Sequence, residues 1–296
     1  MTFTVPDSEL AALETRVRTA LRKPGDTALP LLGHGEVTLV LELDTPHGSF
    51  ACKRLPVFPD RSRFLAYEQV LDTYLRRLRE GGVRVVETRL WHERQAEGGG
   101  ITGYCVQQTL PRKRLCSSLL HSEGPAWAES FFTRFLDQVD GAVSPTLGLD
   151  AQASNWVDLD GELLYIDVTS PLMRDAGGDE LLDVRLFFAS LPWLVRDLVR
   201  VATARSIFDK FYTTRGVVLD FLGNLHKERL AGLIPGFLEQ ANARLPTPLT
   251  EDEVAGYYRA DARSWALIQR LRKADRFWHR VLRRPYPYLL PPDVDR

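Results

Sequence analysis

The first third of the chain alternates short apolar runs with polar turn residues, a pattern typical of β-strands. Glycine, proline or aspartate stands between most neighbouring runs, and strands that are joined by such short turns pair antiparallel. The pattern therefore predicts an antiparallel sheet that ends near Leu110. The runs lie at residues 29–32, 37–43, 50–55, 83–92 and 101–108.

Two helices accompany this sheet. Asp7 or Ser8 can cap a first helix that runs to about Leu21, before a Lys-Pro-Gly-Asp break. Residues 61–80 repeat apolar side chains at the 3.6-residue period of a helix and stop at a Gly-Gly pair. The stripe that we expect to be buried on this second helix contains Phe64, Leu65, Leu71, Leu75 and Leu78.

The remainder of the chain is mainly helical in pattern. Residues 126–139 are amphipathic, and helical periodicity returns after Asp179 and continues almost to the proline-rich tail at 284–292. Between these segments, residues 155–168 predict a two-stranded hairpin, because Asp160-Gly161 is a strong turn signal.

These elements predict an α+β fold in three parts. A helical extension covers residues 1–27, a sheet-rich lobe covers 28–110, and a larger, mainly helical lobe covers 111–296. A cleft between two lobes is where ligand sites tend to lie.

Composition places the chain among soluble globular proteins. It has 296 residues, of which 44% are apolar and 26% charged, and its net charge is −1. This balance gives no global reason to bind nucleic acid or an anionic membrane, so we expect neither partner. Oligomeric state is left open.

Three further features favour a cytoplasmic protein. The odd number of cysteines, three, fits neither a disulfide framework nor a zinc site, so we expect reduced thiols. The N-terminus lacks the basic and apolar regions of a signal peptide. The most apolar segment, 181–204, is interrupted by charges and is interpreted as a buried helix.

The most basic run, residues 270–284, permits two interpretations. Its arginines are mixed with Phe277 and Trp278, which is compatible with binding to nucleic acid or to an acidic partner. The favoured interpretation is an amphipathic helix that buries Leu271, Trp278 and Leu282 and leaves its arginines in water.

Polar residues around the predicted hairpin carry the chemistry. Asp150 and Asn155 stand five residues apart, and Asp167 ends the apolar strand at 163–166. Phosphoryl transfer needs a carboxylate near the attacking hydroxyl and oxygen ligands that hold Mg²⁺ on the phosphates. The alternative is that Asp150 and Asn155 form a loop and Asp167 only ends a strand.

The sheet region supplies a matching set of residues for phosphate. Lys53 lies on a strand, where its ammonium can reach phosphates as a point charge. Glu68 falls on the stripe that the second helix is expected to bury, and Lys53 is the available cation for it; a nearby arginine is the alternative partner. Gly33 and Gly35 flank a turn whose backbone can approach an anion closely.

The order of glycine turn, strand lysine, helix glutamate, D-x-x-x-x-N and strand-end aspartate resembles the protein-kinase-like superfamily. The pattern is most similar to its aminoglycoside and choline phosphotransferase branch, which implies a bilobal fold that uses ATP and Mg²⁺. Lys53 would then hold the α- and β-phosphates, oriented by Glu68. Asp150 would be the catalytic base, and Asn155 and Asp167 would bind the metal.

The resemblance also implies a hinge and an activity. The segment 107–110, with Gln108 and Leu110, would meet adenine through its backbone. The implied activity is transfer of phosphate to a hydroxyl of a small-molecule acceptor. The sequence departs from the family at Gly148-Leu149-Asp150, which lacks a histidine, at Asp167-Val168-Thr169, and at Thr38, where a third glycine is usual. A catalytically degenerate, nucleotide- or partner-binding member and a protein kinase therefore stay as alternatives.

Overall fold

The computed structural model describes residues 3–22, 28–34, 39–95, 99–183 and 208–282. Several sequence predictions fall outside these ranges: Gly35, Thr38, most of the apolar segment 181–204 and the tail 284–292.

Five strands form one antiparallel sheet with the order β1-β2-β3-β5-β4. The sheet confirms the antiparallel pairing predicted for the first third of the chain. The strands are β1 (Leu31–His34), β2 (Leu39–Thr45), β3 (Gly48–Arg54), β4 (Thr88–Arg94) and β5 (Ile101–Gln108).

Helices account for most of the remaining structure in the described ranges. None of them is long and apolar enough to cross a membrane. Together with the sheet they make a mixed helical and antiparallel fold that is compatible with the predicted α+β class. The helices are α1 (Asp7–Arg22), α2 (Arg61–Glu80), α3 (Cys116–Ser122), α4 (Pro125–Ala142), α5 (Thr214–Lys227), α6 (Ile234–Asn242) and α7 (Glu251–Val281).

The predicted hairpin is present as β6 (Trp156–Leu159) and β7 (Glu162–Tyr165). Its turn residues Asp160 and Gly161 have φ values of 55° and 92°. Two successive positive φ values belong to a two-residue turn that matches the twist of paired strands, and Asp-Gly is the dipeptide that adopts it at low cost. The sequence signal and the backbone geometry agree here.

Helix α1 covers one face of the sheet. Because side chains alternate along a strand, Phe50 and Cys52 of β3 face this helix and pack with its Leu13 and Val17 in a separate small core. Glu14 of α1 is fully buried beneath the helix. The helical extension is thus an integral layer of the sheet region.

Helix α2 packs against the other face and belongs to a large core shared with α4, α5 and α6. Asp60 starts α2, since its carboxylate accepts a hydrogen bond from the Arg63 backbone N–H at 2.9 Å. The predicted buried stripe is right for most positions but wrong for Leu65, which is exposed. Tyr67 and Tyr74 are buried instead, because each hydroxyl finds a backbone acceptor.

The second half of α7 contradicts the favoured interpretation of the basic run. Trp278 and Leu282, expected to be buried, are both exposed, and Leu271 is only partly buried. The side of α7 that packs inward carries Trp265 and Arg272 instead. Periodicity identified an amphipathic helix but assigned the wrong face to the interior.

Candidate functional site

Lys53 and Asp167 meet at the junction of the sheet and the hairpin. The Lys53 Nζ and the Asp167 Oδ1 are 2.6 Å apart, although 114 residues separate them in sequence. Because side chains alternate along β3, Lys53 points away from α1, and Asp167 lies two residues beyond the end of β7. The two side chains are 17% and 31% exposed, so the pair is sheltered but open to a ligand.

The Asp167 carboxylate is held in its charged form. Burial by itself would raise the pKa of this carboxyl, but the ammonium of Lys53 and the hydrogen bonds from Thr169 outweigh it, so the pKa lies below its ordinary value. The Thr169 hydroxyl donates to Asp167 Oδ1 at 3.2 Å. An anionic Asp167 is the state that a cation ligand requires.

Asp150 and Asn155 close the loop that precedes the hairpin. The Asn155 side-chain amide donates to the Asp150 carbonyl at 2.9 Å, and the Tyr165 hydroxyl donates to the same carbonyl at 3.0 Å. The Ile166 N–H donates to the Asn155 carbonyl at 3.0 Å. These bonds place Asn155 beside the strand end that carries Asp167.

Helix α2 and strand β5 fix both sides of the hairpin. The Tyr74 hydroxyl donates to the Gly148 carbonyl at 3.2 Å, and the Tyr67 hydroxyl donates to the Thr169 carbonyl at 3.0 Å. The Gln107 amide donates to the Ile166 carbonyl at 3.0 Å. Asp150 and Asp167 therefore sit on segments that are tied to the same helix and sheet as Lys53.

Glu68 does not make the predicted pair with Lys53. Among the described residues no ion pair joins them, because Lys53 is directed at Asp167. Glu68 is half-buried at the edge of the α2 core, one residue beyond the buried Tyr67. The expected lysine–glutamate contact is thus replaced by a lysine–aspartate contact.

The remaining predicted nucleotide contacts lie along the sheet. Gly33 is in β1, and a side chain added there would meet open space, so the backbone is accessible. Its partner Gly35 lies outside the described residues. Gln108 ends β5 and is exposed, and Leu110 follows half-buried. No contact on the described residues tests these four assignments further, and they remain predictions.

Lys227, which sequence reasoning did not select, extends the site from the end of α5. Its Nζ donates to the Gln152 Oε1 at 3.0 Å, and the Gln152 Nε2 donates to the Asp150 Oδ1 at 3.3 Å. An ammonium thus reaches the Asp150 carboxylate through one amide. No local sequence motif identifies this lysine as a site residue, because 77 positions separate it from Asp150. The only sequence signal is its position as the last residue of α5.

Oxygen donors for Mg²⁺ are present. Within the described ranges, no side chain donates a hydrogen bond to the Asn155 Oδ1 or to the Asp167 Oδ2, and both belong to residues that adjoin the same strand end. Carboxylate and amide oxygens are suitable Mg²⁺ ligands, and such sites use few protein ligands together with substrate phosphates. These residues fit the ion as ligands shared with a nucleotide. The described residues contain no cluster of three or more histidine, cysteine, aspartate or glutamate ligands.

A surface groove at the opposite end of the hairpin is a different feature. It encloses about 510 Å³ and includes Arg114, Arg134 and Asp158 in its lining. Arg134 pairs with the buried Asp158 at 2.9 Å, and Arg114 pairs with Asp160 at 3.0 Å. None of the residues predicted for the site lines this groove, so it is not the predicted site.

Comparisons with known proteins identify the family of the chain. The solved structure described as "WaaP in complex with acyl carrier protein" is similar to this chain with 13% identity and a TM-score of 0.36, over 82% of this chain and 96% of that chain. No curated protein sequence matches the chain. A family model described as "Family of unknown function (DUF6206)" matches residues 12–276. That match spans most of the sequence, and the chain therefore belongs to the DUF6206 family.

Proposed function

We propose that the protein is an ATP- and Mg²⁺-dependent phosphotransferase of protein-kinase-like fold that acts on a hydroxyl of a small molecule in the cytoplasm. The observation that carries this proposal is the contact of 2.6 Å between Lys53 and Asp167. The sequence assigned these two residues to phosphate and to metal independently, from motifs in separate parts of the chain. Their meeting in space supports both assignments.

The physical argument starts from the charges of this pair. A lysine ammonium binds phosphate oxygens as a compact point charge, and an aspartate oxygen binds Mg²⁺. A magnesium nucleotide carries both complementary charges, so it can take the place of the direct contact between Lys53 and Asp167. The Asp167 Oδ2 and the Asn155 Oδ1 then remain as the metal ligands from the protein.

The catalytic part of the proposal rests on Asp150. In phosphoryl transfer little covalent chemistry is left to the protein, which positions the reactants and stabilises charge. The nucleotide, when bound with Mg²⁺, supplies the phosphoryl group and the neutralising cation. Asp150 orients the acceptor hydroxyl and accepts its proton, and the loop closed by Asn155 and Tyr165 holds this carboxylate in place.

A second candidate is a nucleotide-binding protein without turnover. The observation that favours it is Leu149, which occupies the position directly before Asp150 and is fully buried in the core. A polar side chain at that position would be able to support the catalytic loop, whereas leucine only packs. In this alternative the Lys53–Asp167 pair binds a nucleotide, but Asp150 has only a structural role and does not act as a base.

The test is ADP release in the presence of ATP, Mg²⁺ and a panel of small hydroxyl compounds. Asp150→Asn keeps the shape of the side chain but removes the base, so we expect turnover to fall by about 10²–10⁴-fold with nucleotide binding retained. Asp160→Asn is the matched control, because it removes the same charge from the exposed turn of the same hairpin.

Three outcomes separate the candidates. Turnover that is lost in Asp150→Asn and kept in Asp160→Asn supports the phosphotransferase. Full turnover in Asp150→Asn excludes this residue as the base. Magnesium-dependent nucleotide binding without turnover on any acceptor of the panel supports the second candidate.

A further inference from the structure

The second half of α7 exposes a continuous apolar stripe. Leu267, Leu271, Ala274, Trp278 and Val281 follow one another at alternating steps of four and three residues, which places them on one side of a helix. Leu267, Trp278, Val281 and the adjacent Leu282 are between 52% and 60% exposed. Single exposed apolar residues are ordinary, but a contiguous patch of this kind marks an interaction site.

The opposite side of the same helix packs against the body of the protein. Val254, Trp265 and Arg272 are buried, and they lie on the side of α7 that faces the body of the protein. The Arg272 guanidinium lies over the Trp265 ring, 5.5 Å from its centroid. The exposed stripe is therefore not the packing face of α7 but a further surface on a helix that is already fixed.

Basic residues border one flank of the stripe. The run 270–284 contains seven arginines and lysines and one acidic residue, whereas the whole chain has a net charge of −1. Arg270 and Lys273 are exposed on this flank. The local charge is thus strongly positive on a chain that is nearly neutral.

We propose that the second half of α7 lies on an anionic lipid surface. A helix with a basic polar face and exposed Trp and Leu side chains lies in the plane of a membrane interface with its apolar side inserted. Tryptophan is enriched at that depth, and each arginine or lysine near an anionic leaflet adds about fivefold to the affinity. The net charge of −1 gives no global reason to expect a membrane partner, and the favoured interpretation of the basic run placed Trp278 and Leu282 in the interior.

Charge and accessibility favour lipid over the other occupants. A second copy of this chain, paired along the stripe, would bring two basic faces together, which is destabilising. A protein partner that encloses the whole helix is excluded, because one side of α7 is buried against the body. A flat anionic surface needs only the side that is exposed.

The test is co-sedimentation of the full chain with vesicles. The two compositions are phosphatidylcholine alone and phosphatidylcholine mixed with phosphatidylserine, and binding is expected only to the second. Trp278→Ser combined with Leu282→Ser should weaken this binding at least tenfold, since two large apolar side chains no longer enter the interface. Arg270→Gln combined with Lys273→Gln should weaken it roughly thirtyfold.

The matched control is Leu65→Ser combined with Leu181→Ser, which removes two exposed leucines from other parts of the surface and should leave binding unchanged. Equal binding to both vesicle compositions, or equal losses in the control and the α7 variants, would overturn the proposal. Dimerisation that the Trp278 and Leu282 variant abolishes, without any vesicle binding, would assign the stripe to a second copy instead. Circular dichroism confirms that each variant is folded, and magnesium-nucleotide binding in the α7 variants tests the site at Lys53 separately.

Discussion

Lys53 and Arg54 are neighbours on β3, yet they serve the two faces of the sheet in different ways. Arg54 points toward α1 and pairs with Glu14 at 2.9 Å through two nitrogens, in a setting where the side chains are 12% and 0% exposed. Lys53 points toward the hairpin and makes one contact with Asp167 at 2.6 Å. One pair is sealed under a helix, and the other lies at an open junction.

The number of partners separates the two pairs further. Glu14 also accepts hydrogen bonds from Arg18 at 3.0 Å and from the Tyr104 hydroxyl at 2.7 Å, so both of its oxygens are occupied. Asp167 keeps one oxygen, Oδ2, to which no side chain of the described residues donates a hydrogen bond. A buried carboxylate with all its bonds made stabilises a fold, whereas a sheltered one with a spare oxygen is suited to a ligand.

The largest effect on stability is expected for the sealed pair. Glu14→Ala leaves Arg54 buried without its partner, so we expect the free energy of unfolding to fall by about 3–5 kcal/mol. Urea unfolding measures this value. Asp7→Ala on the same helix removes an exposed carboxylate 3.7 Å from Arg89, and a loss below about 1 kcal/mol is expected there. Equal losses in the two variants would contradict the distinction.

For the open pair, Lys53 and Asp167, we expect a small effect on stability and a large effect on nucleotide binding. Lys53→Met should change the free energy of unfolding by less than about 2 kcal/mol, because Asp167 remains partly hydrated. The same change should weaken magnesium-nucleotide binding at least tenfold, or about 1.4 kcal/mol, as measured by calorimetry. Arg76→Met, in an exposed ion pair of α2, controls for loss of a surface charge. Unchanged nucleotide affinity in Lys53→Met would remove this lysine from the site.

Acid should destabilise the protein through Glu14. Burial alone would raise the pKa of Glu14, but Arg54, Tyr104 and Arg18 outweigh it and keep the pKa below the ordinary value of 4.5. A carboxylate with a depressed pKa contributes stability that is present above pH 4.5 and is lost as the pH falls through the folded-state value. We therefore expect Glu14→Gln to flatten the decline of stability below pH 4.5. Urea unfolding across this pH range measures the slope, and a slope equal to that of the wild type would contradict the assignment.

The smallest effect is expected for Lys227, which touches Asp150 only through Gln152. Lys227→Met should lower kcat about threefold to tenfold with little change in KM, because it alters the orientation of Asp150 and not the nucleotide contacts. Lys227→Arg should restore most of the activity. A change in KM alone would assign Lys227 to substrate binding instead.

Local signals account for what the sequence predicted well. The bounds of α2 agree with the periodic segment 61–80, and the hairpin follows from Asp160-Gly161, whose preferred backbone matches the turn. Lys53 and Asp167 were selected because short motifs mark them. Each of these features depends on residues that are close in the chain.

Contacts between distant segments account for what the sequence missed. The choice of partner for Lys53 depends on where the hairpin docks, and the hydroxyl of Tyr67 permits burial that hydrophobicity alone does not predict. Trp278 was assigned to the interior because periodicity shows that a helix has an apolar side but not which neighbour covers it. Lys227 becomes visible only after α5 is placed beside the loop of Asp150.

Magnesium-dependent nucleotide binding tests the central claim most directly. Thermal unfolding is measured with ATP and Mg²⁺, and with ATP and a chelator, for the wild type, Asp167→Asn and Asp160→Asn. At one hundred times the dissociation constant, binding stabilises the folded state by about 2.7 kcal/mol. We expect a magnesium-dependent rise in Tm for the wild type and Asp160→Asn, and no such rise for Asp167→Asn. The absence of a magnesium-dependent rise in the wild type, or an equal rise in Asp167→Asn, would contradict the account.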